Sequence, residues 1–105
     1  GLRDRSLFET ALAKPRQLVA YGDPPPDLAA LAAAYGHGLA HLHPFVDGNK
    51  RTSLVATLLF LRLNGQEVEA SQEDRYLTWI ALAAGDIDEA TLAEWLRDRL
   101  RRMEP

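Results

Sequence analysis

The sequence predicts a compact all-α domain, and three observations carry that expectation. Apolar residues recur at helical spacing along most of the chain. Capping residues and Gly, Asn or Pro stops alternate, dividing the chain into about five helical segments. Hydrophobic residues make up 47% and charged residues 26% of the 105, enough apolar material for one core without staples. A single domain over residues 1–105 is therefore expected.

The elements follow in order. Ser6-Leu7-Phe8-Glu9 reads as a capping box, with a hydroxyl at the N-cap and a carboxylate three residues on. The helix it opens should run to about Ala13, because Pro15 disfavours helical geometry at Lys14. Arg16 to Tyr21 could add a short turn. Gly22-Asp23-Pro24-Pro25-Pro26 must be a loop, since consecutive prolines remove consecutive donors. Asp27 can cap the next helix, Leu28 to Leu42, with Leu28, Leu31, Tyr35 and Leu39 at helical spacing. Pro44 should end it near His43.

A third long helix is expected from near Gly48 to Leu63, with Asn64-Gly65 as its C-cap. Its apolar positions include Leu54, Val55, Leu58, Leu59, Phe60, Leu61 and Leu63. That stripe is too wide for a surface helix, so this helix should be the central buried one, with neighbours on several sides. Gln66 to Ala70 reads as an extended link. Ser71 to Asp74 repeats the capping pattern, and the helix it opens should end at Gly85. Asp88 caps a last helix carrying Leu92, Trp95, Leu96 and Leu100. Its tail, with Arg97, Arg99, Arg101 and Arg102, places cations favourably at a helix C-terminus.

Composition narrows function. No cysteine is present, which excludes disulfides, zinc–thiolate sites, iron–sulfur clusters and cysteine nucleophiles. The net charge of −3 argues against direct nucleic-acid binding. Apolar runs break well before the ~18 residues of a membrane span. No signal-peptide pattern opens the chain, so a cytoplasmic location is expected. The first residue is Gly1 rather than Met, as in a trimmed or processed chain.

Chemistry concentrates in residues 43–52, HPFVDGNKRT. His43 sits at the end of one helix, and Gly48 and Asn49 at the start of the next. A helix start, with the dipole behind it, favours an anion. Gly48 lets the backbone approach a ligand closely. Lys50 and Arg51 fall in the first turn, where the dipole disfavours cations, so they need a compensating anion. Asp47 could serve one of them; a phosphate explains the whole set. Asp47 also offers a hard oxygen suited to Mg²⁺. His43 has the ordinary pKa range of a general base near neutral pH. A plainer account stands beside this one: Asp47 as an N-cap, Lys50 and Arg51 as solvated charges, His43 as a satisfied helix-end histidine. His37 and His41, four apart on one helix, raise a zinc-hydrolase alternative. No Glu flanks His41 as that arrangement requires, and packing near Tyr35 or support of His43 would explain the pair.

HPFVDGNKRT resembles the active-site motif of the Fic/Doc family, whose Fic form is HPFxxGNGRxxR with Asp or Glu in the fifth position. The stretches GLRD at 1–4, LFETALAKP, LLFLRLNG at 58–65 and AAGDIDEATLAEWLR at 83–97 resemble the death-on-curing (Doc) branch. Lys50 in place of the second glycine, and Leu54 in place of the last arginine, point to the same branch. The resemblance implies a Fic/Doc-type helical fold and a toxin kinase of a type II toxin–antitoxin system. Such an enzyme passes the terminal phosphate of ATP to a threonine of elongation factor Tu and stops translation. It implies His43 as base, Asp47 as the Mg²⁺ ligand, and Gly48 and Asn49 lining the anion hole. Lys50 and Arg51 would clamp phosphates, and Phe45 would anchor the loop. The alternatives are AMP transfer to a protein hydroxyl, as in Fic enzymes, or an inactive phosphate- or partner-binding domain. The expected partners are the elongation factor and a Phd-like antitoxin whose disordered tail folds into a groove. The family's N-terminal helix has no counterpart before Gly1; its uncovered apolar face would favour a homo-oligomer.

Overall fold

The computed structural model describes residue 2, residues 4–42 and residues 48–104. Its elements in chain order are α1 (Arg5–Tyr21), α2 (Leu28–Leu42), α3 (Asn49–Leu63), β1 (Gln66–Val68), α4 (Gln72–Ala84), α5 (Glu89–Arg97) and β2 (Leu100–Arg102). The fold is all-α, with five helices and one two-stranded ribbon among the described residues.

Four local signals act as expected. The Asp27 carboxylate accepts from the Ala30 N–H at 2.8 Å and starts α2. Ser71 Oγ accepts from Asp74 N–H at 3.0 Å, and Asp88 Oδ1 from Thr91 N–H at 2.8 Å. Gly85 closes α4 at φ +82°, a left-handed conformation that costs glycine no Cβ clash.

Helix α1 departs from expectation at both ends. Its N-cap is Asp4, whose Oδ1 accepts from Leu7 N–H at 3.1 Å, so Ser6 lies inside the helix. It then continues through Pro15 to Tyr21. Pro15 and Ala11 are the buried residues of this helix, and α1 packs along α2. Burying that face outweighs the roughly 3 kcal/mol a mid-helix proline costs.

The central helix is α2, not α3. It packs against α1, α3, α4 and α5. Ala29, Ala32, Ala33, Ala34, Gly36, Gly38, Leu39 and Ala40 are all buried, while Leu28, Leu31 and Tyr35 of the expected stripe are only half-buried. Small side chains let neighbouring helices approach from every side, so smallness rather than apolar bulk marks this core. On α3 only Ser53, Thr57 and Leu61 are buried. Val55, Leu59 and Leu63 are 57%, 52% and 77% exposed, which overturns the reading of α3 as a helix covered on several sides. Trp79, Leu82, Leu92 and Leu96 complete the core from α4 and α5.

The C-terminal arginines do not extend α5. The helix stops at Arg97, and Leu100–Arg102 pairs antiparallel with Gln66–Val68, Glu67 facing Arg101. Arg101 Nε donates to Glu67 Oε1 at 3.0 Å across the ribbon. Bonds from Glu69 N–H to Arg99 O (2.8 Å) and from Met103 N–H to Gly65 O (2.9 Å) prolong the pairing. The link at 66–70 thereby gains a partner that local periodicity does not reveal.

Candidate functional site

In sequence, the predicted site residues fall between the end of α2 and the first turn of α3. His43, Phe45 and Asp47 lie outside the described residues, so the base, loop-anchor and metal-ligand roles have no geometry here. The other four predicted residues come together on the cap and first turn of α3.

Gly48 is the N-cap of α3, at φ +75° and ψ +17°. A Cβ placed there would meet nothing within 4 Å, so the glycine is required by its left-handed backbone rather than by crowding. Its carbonyl accepts from Thr52 N–H at 2.8 Å, starting the helical ladder. Asn49, half-buried, is the first helical residue.

Lys50 and Arg51 follow, both exposed. The first turn of α3 contains no acidic residue, and neither cation has an ion-pair partner among the described residues. Lys50 Nζ stands 5.7 Å from the ring centroid of Tyr76 on α4. A ring face holds a cation without neutralising it. Among the described residues, then, no carboxylate offsets these two adjacent charges at the positive end of the helix, a place that favours an anion. Leu54, one turn further on, packs partly buried against the core and brings no charge to the site.

A second group of ionisable residues lies on α2. The rings of His37 and His41 stack with centroids 4.3 Å apart and planes 24° apart. His37 Nδ1 is 3.7 Å from Glu89 Oε1, the oxygen that also pairs with Lys14 Nζ. Burial, and then the neighbouring His41, hold His37 below the ordinary histidine pKa, against the opposing pull of Glu89. Among the described residues, no three His, Asp or Glu side chains are grouped to hold a metal ion. The two histidines make a stacked, packed pair, and the zinc-hydrolase alternative gains nothing from them.

Residues that sequence reading passed over stand just behind the motif. Ser53 and Thr57 are fully buried on α3, facing Gly36 of α2 and Trp79 of α4. Their signal is a serine and a threonine four apart on an apolar helix, hence on one face. Among the described residues no helix is long and apolar enough to cross a membrane.

The model of the Fic/DOC family matches residues 1–61. The chain is 38% identical over 97 residues to "Protein kinase doc" of Escherichia phage P1, covering 92% of this chain and 75% of that protein. It is 42% identical over 69 residues to "Toxin Doc" of Mycolicibacterium smegmatis, covering 66% of this chain and 53% of that protein.

Proposed function

The chain belongs to the Fic/Doc family, in its Doc branch, and on that premise we propose that it is a Doc-like toxin and a protein kinase. The carrying observation is the exposed pair Lys50–Arg51 on the first turn of α3, which holds no acidic residue, beside the left-handed cap at Gly48. Phosphates of ATP suit that place: they are anionic, and the cations there lack a carboxylate among the described residues.

In the proposed reaction His43 takes the proton of a threonine hydroxyl on elongation factor Tu. The freed oxygen attacks the γ-phosphorus, the bond from that phosphorus to the bridging oxygen breaks, and ADP leaves with the electron pair. Lys50 and Arg51 offset the charge that grows on the transferred group and on the leaving oxygen. Asp47 carries a hard oxygen donor that fits Mg²⁺. The ion, when bound, would neutralise phosphate charge. Modification of the factor stops translation.

Lys50 and Leu54 favour γ-phosphate transfer over AMP transfer. A lysine stands where AMP transferases leave room with glycine, and Leu54 is committed to the core. The antitoxin would be a Phd-like chain laying a helix into a groove. A groove of about 610 Å³ between α3 and α4, lined by Leu54, Val55, Leu58 and Tyr76, supports that mode. The exposed Val55, Leu59 and Leu63 would also support self-association in the absence of the antitoxin.

The test is labelled ATP with purified elongation factor Tu. Label from the γ-phosphate and none from the α-phosphate is expected, with His43→Ala abolishing transfer in a folded protein. Label from the α-phosphate would replace the kinase reading by AMP transfer. No label from either would leave a non-catalytic binding domain.

A further inference from the structure

The hydroxyl of Ser53 joins three helices. Ser53 Oγ donates to the Gly36 carbonyl of α2 at 2.5 Å and accepts from Trp79 Nε1 of α4 at 2.9 Å. Ser53 itself is 0% exposed. Thr57 Oγ1, one turn on, donates to the Ser53 carbonyl at 2.7 Å. It also lies where a Cβ on Gly36 would approach it to 2.7 Å, closer than real Cβ contacts come. The two backbones therefore meet at close quarters, and the contact between them is a directed hydrogen bond.

The placement of this contact matters. Gly36 lies on α2, about two helical turns from its last residue, Leu42, and Ser53 lies two residues past Arg51. The bond crosses from the helix that leads to the base to the helix that starts at the phosphate site. Apolar burial alone lets packed helices slide with little directional penalty. A buried hydroxyl with both a donor and an acceptor role filled cannot shift without leaving a polar group unpaired, at a cost of about 1–3 kcal/mol. The bond thereby fixes the register of α3 against α2.

We infer that Ser53 is a positioning residue for the motif: its strap to Gly36 holds the first turn of α3, with Lys50 and Arg51, in register against α2. This inference rests on the kinase reading for its catalytic consequence, though the strap itself does not. Ser53 touches no substrate; it acts through the helix that carries Lys50 and Arg51.

The experiment compares Ser53→Ala and the near-isosteric Ser53→Cys, a much weaker donor, with Trp79→Phe. The last variant removes the indole donor and some packing but leaves the strap. Turnover and KM for ATP are measured on the full chain at a temperature where each variant is folded. Positioning predicts that kcat falls about tenfold or more in the Ser53 variants while KM stays within about twofold. Trp79→Phe should keep kcat despite its lower thermal midpoint. Should Ser53→Ala fail to fold, Ser53→Cys carries the test. Wild-type kcat in a folded Ser53 variant, or an equal loss in Trp79→Phe, overturns the inference.

Amide exchange separates this from failure of the kinase reading. If the wild-type chain transfers no label, the kinase reading falls and the strap is judged by protection at Thr52 N–H, which bonds Gly48 O at 2.8 Å. Release of the start of α3 predicts about tenfold faster exchange there, with Arg75 and Leu92 N–H of the other helices unchanged. Unchanged protection at Thr52 overturns the strap.

Discussion

Helix α2 is held on two sides by different chemistry. Toward α3 the seam is Gly36 against Ser53 and Thr57, close and hydrogen-bonded. Toward α5 it is Ala29, Ala32, Ala33 and Ala40 clustered with Leu92, Ala93 and Leu96, an apolar contact without direction. Gly36 stands at the junction: a Cβ there would also come within 3.3 Å of Leu92 Cδ2. The apolar seam removes large side chains from water and supplies stability. The polar seam removes little area but fixes register, and it lies beside the motif. Direction holds the start of α3, and bulk holds the side of α2 away from it.

The largest effect should come from the apolar seam. Leu92→Ala removes a fully buried side chain and is expected to cost about 2–5 kcal/mol in urea unfolding. Turnover per folded molecule should stay at the wild-type level. A drop in kcat as large as that of Ser53→Ala would erase the contrast between the seams.

Gly36→Ala comes next. In an ordinary helix interior the change would stabilise by up to about 1 kcal/mol. Here the new methyl meets Thr57 Oγ1 and Leu92 Cδ2, and a net loss of about 1–3 kcal/mol is expected. Adding Thr57→Ala should return part of it, and a double-mutant cycle by denaturant melts measures the coupling. A stabilising Gly36→Ala would show that the close approach is not tight.

A smaller effect belongs to the clasp that joins the start of α2 to the end of α5. Arg97 Nε and Nη2 donate to the two oxygens of Asp27 at 2.7 and 3.0 Å. The Arg97 hydrogen bond holds the Asp27 carboxyl below its usual pKa. The stabilisation is therefore complete above the unfolded carboxyl's value of 3.8 and is lost as pH falls through the lower folded value. Both side chains are about half exposed, so the pair contributes less than about 1 kcal/mol. The cap on Ala30 adds about 1 kcal/mol. Asp27→Ala should lose both and Asp27→Asn mainly the charge, read as thermal midpoints at pH 7 and pH 3.

The smallest effect concerns His37. Its folded pKa is depressed, chiefly by burial, so the unfolded chain takes up the proton first as pH drops below 6.5. Stability should fall slightly from pH 7 to pH 5, and His37→Gln should flatten that slope. The groups facing the ring are His41, Glu89, Lys14 and Asp88; His41 and Lys14 add to the depression, and the carboxylates Glu89 and Asp88 at the start of α5 temper it. A slope unchanged in His37→Gln would assign it elsewhere.

Much of this molecule was legible without its fold. Asp27, Ser71, Asp88 and Gly85 act within one turn of their own positions, so their hydrogen bonds and left-handed cap follow from residue type and spacing. The Gly48–Arg51 cluster is contiguous in sequence, and it stays contiguous on the first turn of α3. Other features depend on partners distant along the chain. Pro15 sits inside a helix because α2 covers its face. Residues 100–102 form a strand because Gln66–Val68 lies beside them. The central helix proved to be the alanine- and glycine-rich α2, because centrality is set by how closely neighbours can approach and not by how apolar a stripe is. Ser53 shows the same division most clearly. Its hydroxyl reads locally as a polar interruption of an apolar helix, and only packing reveals that it bridges Gly36 and Trp79. Short-range hydrogen bonds draw on residues within one turn, though two nearby caps such as Asp4 and Ser6 can compete, whereas burial and cross-helix bonds depend on which surfaces the whole chain brings together.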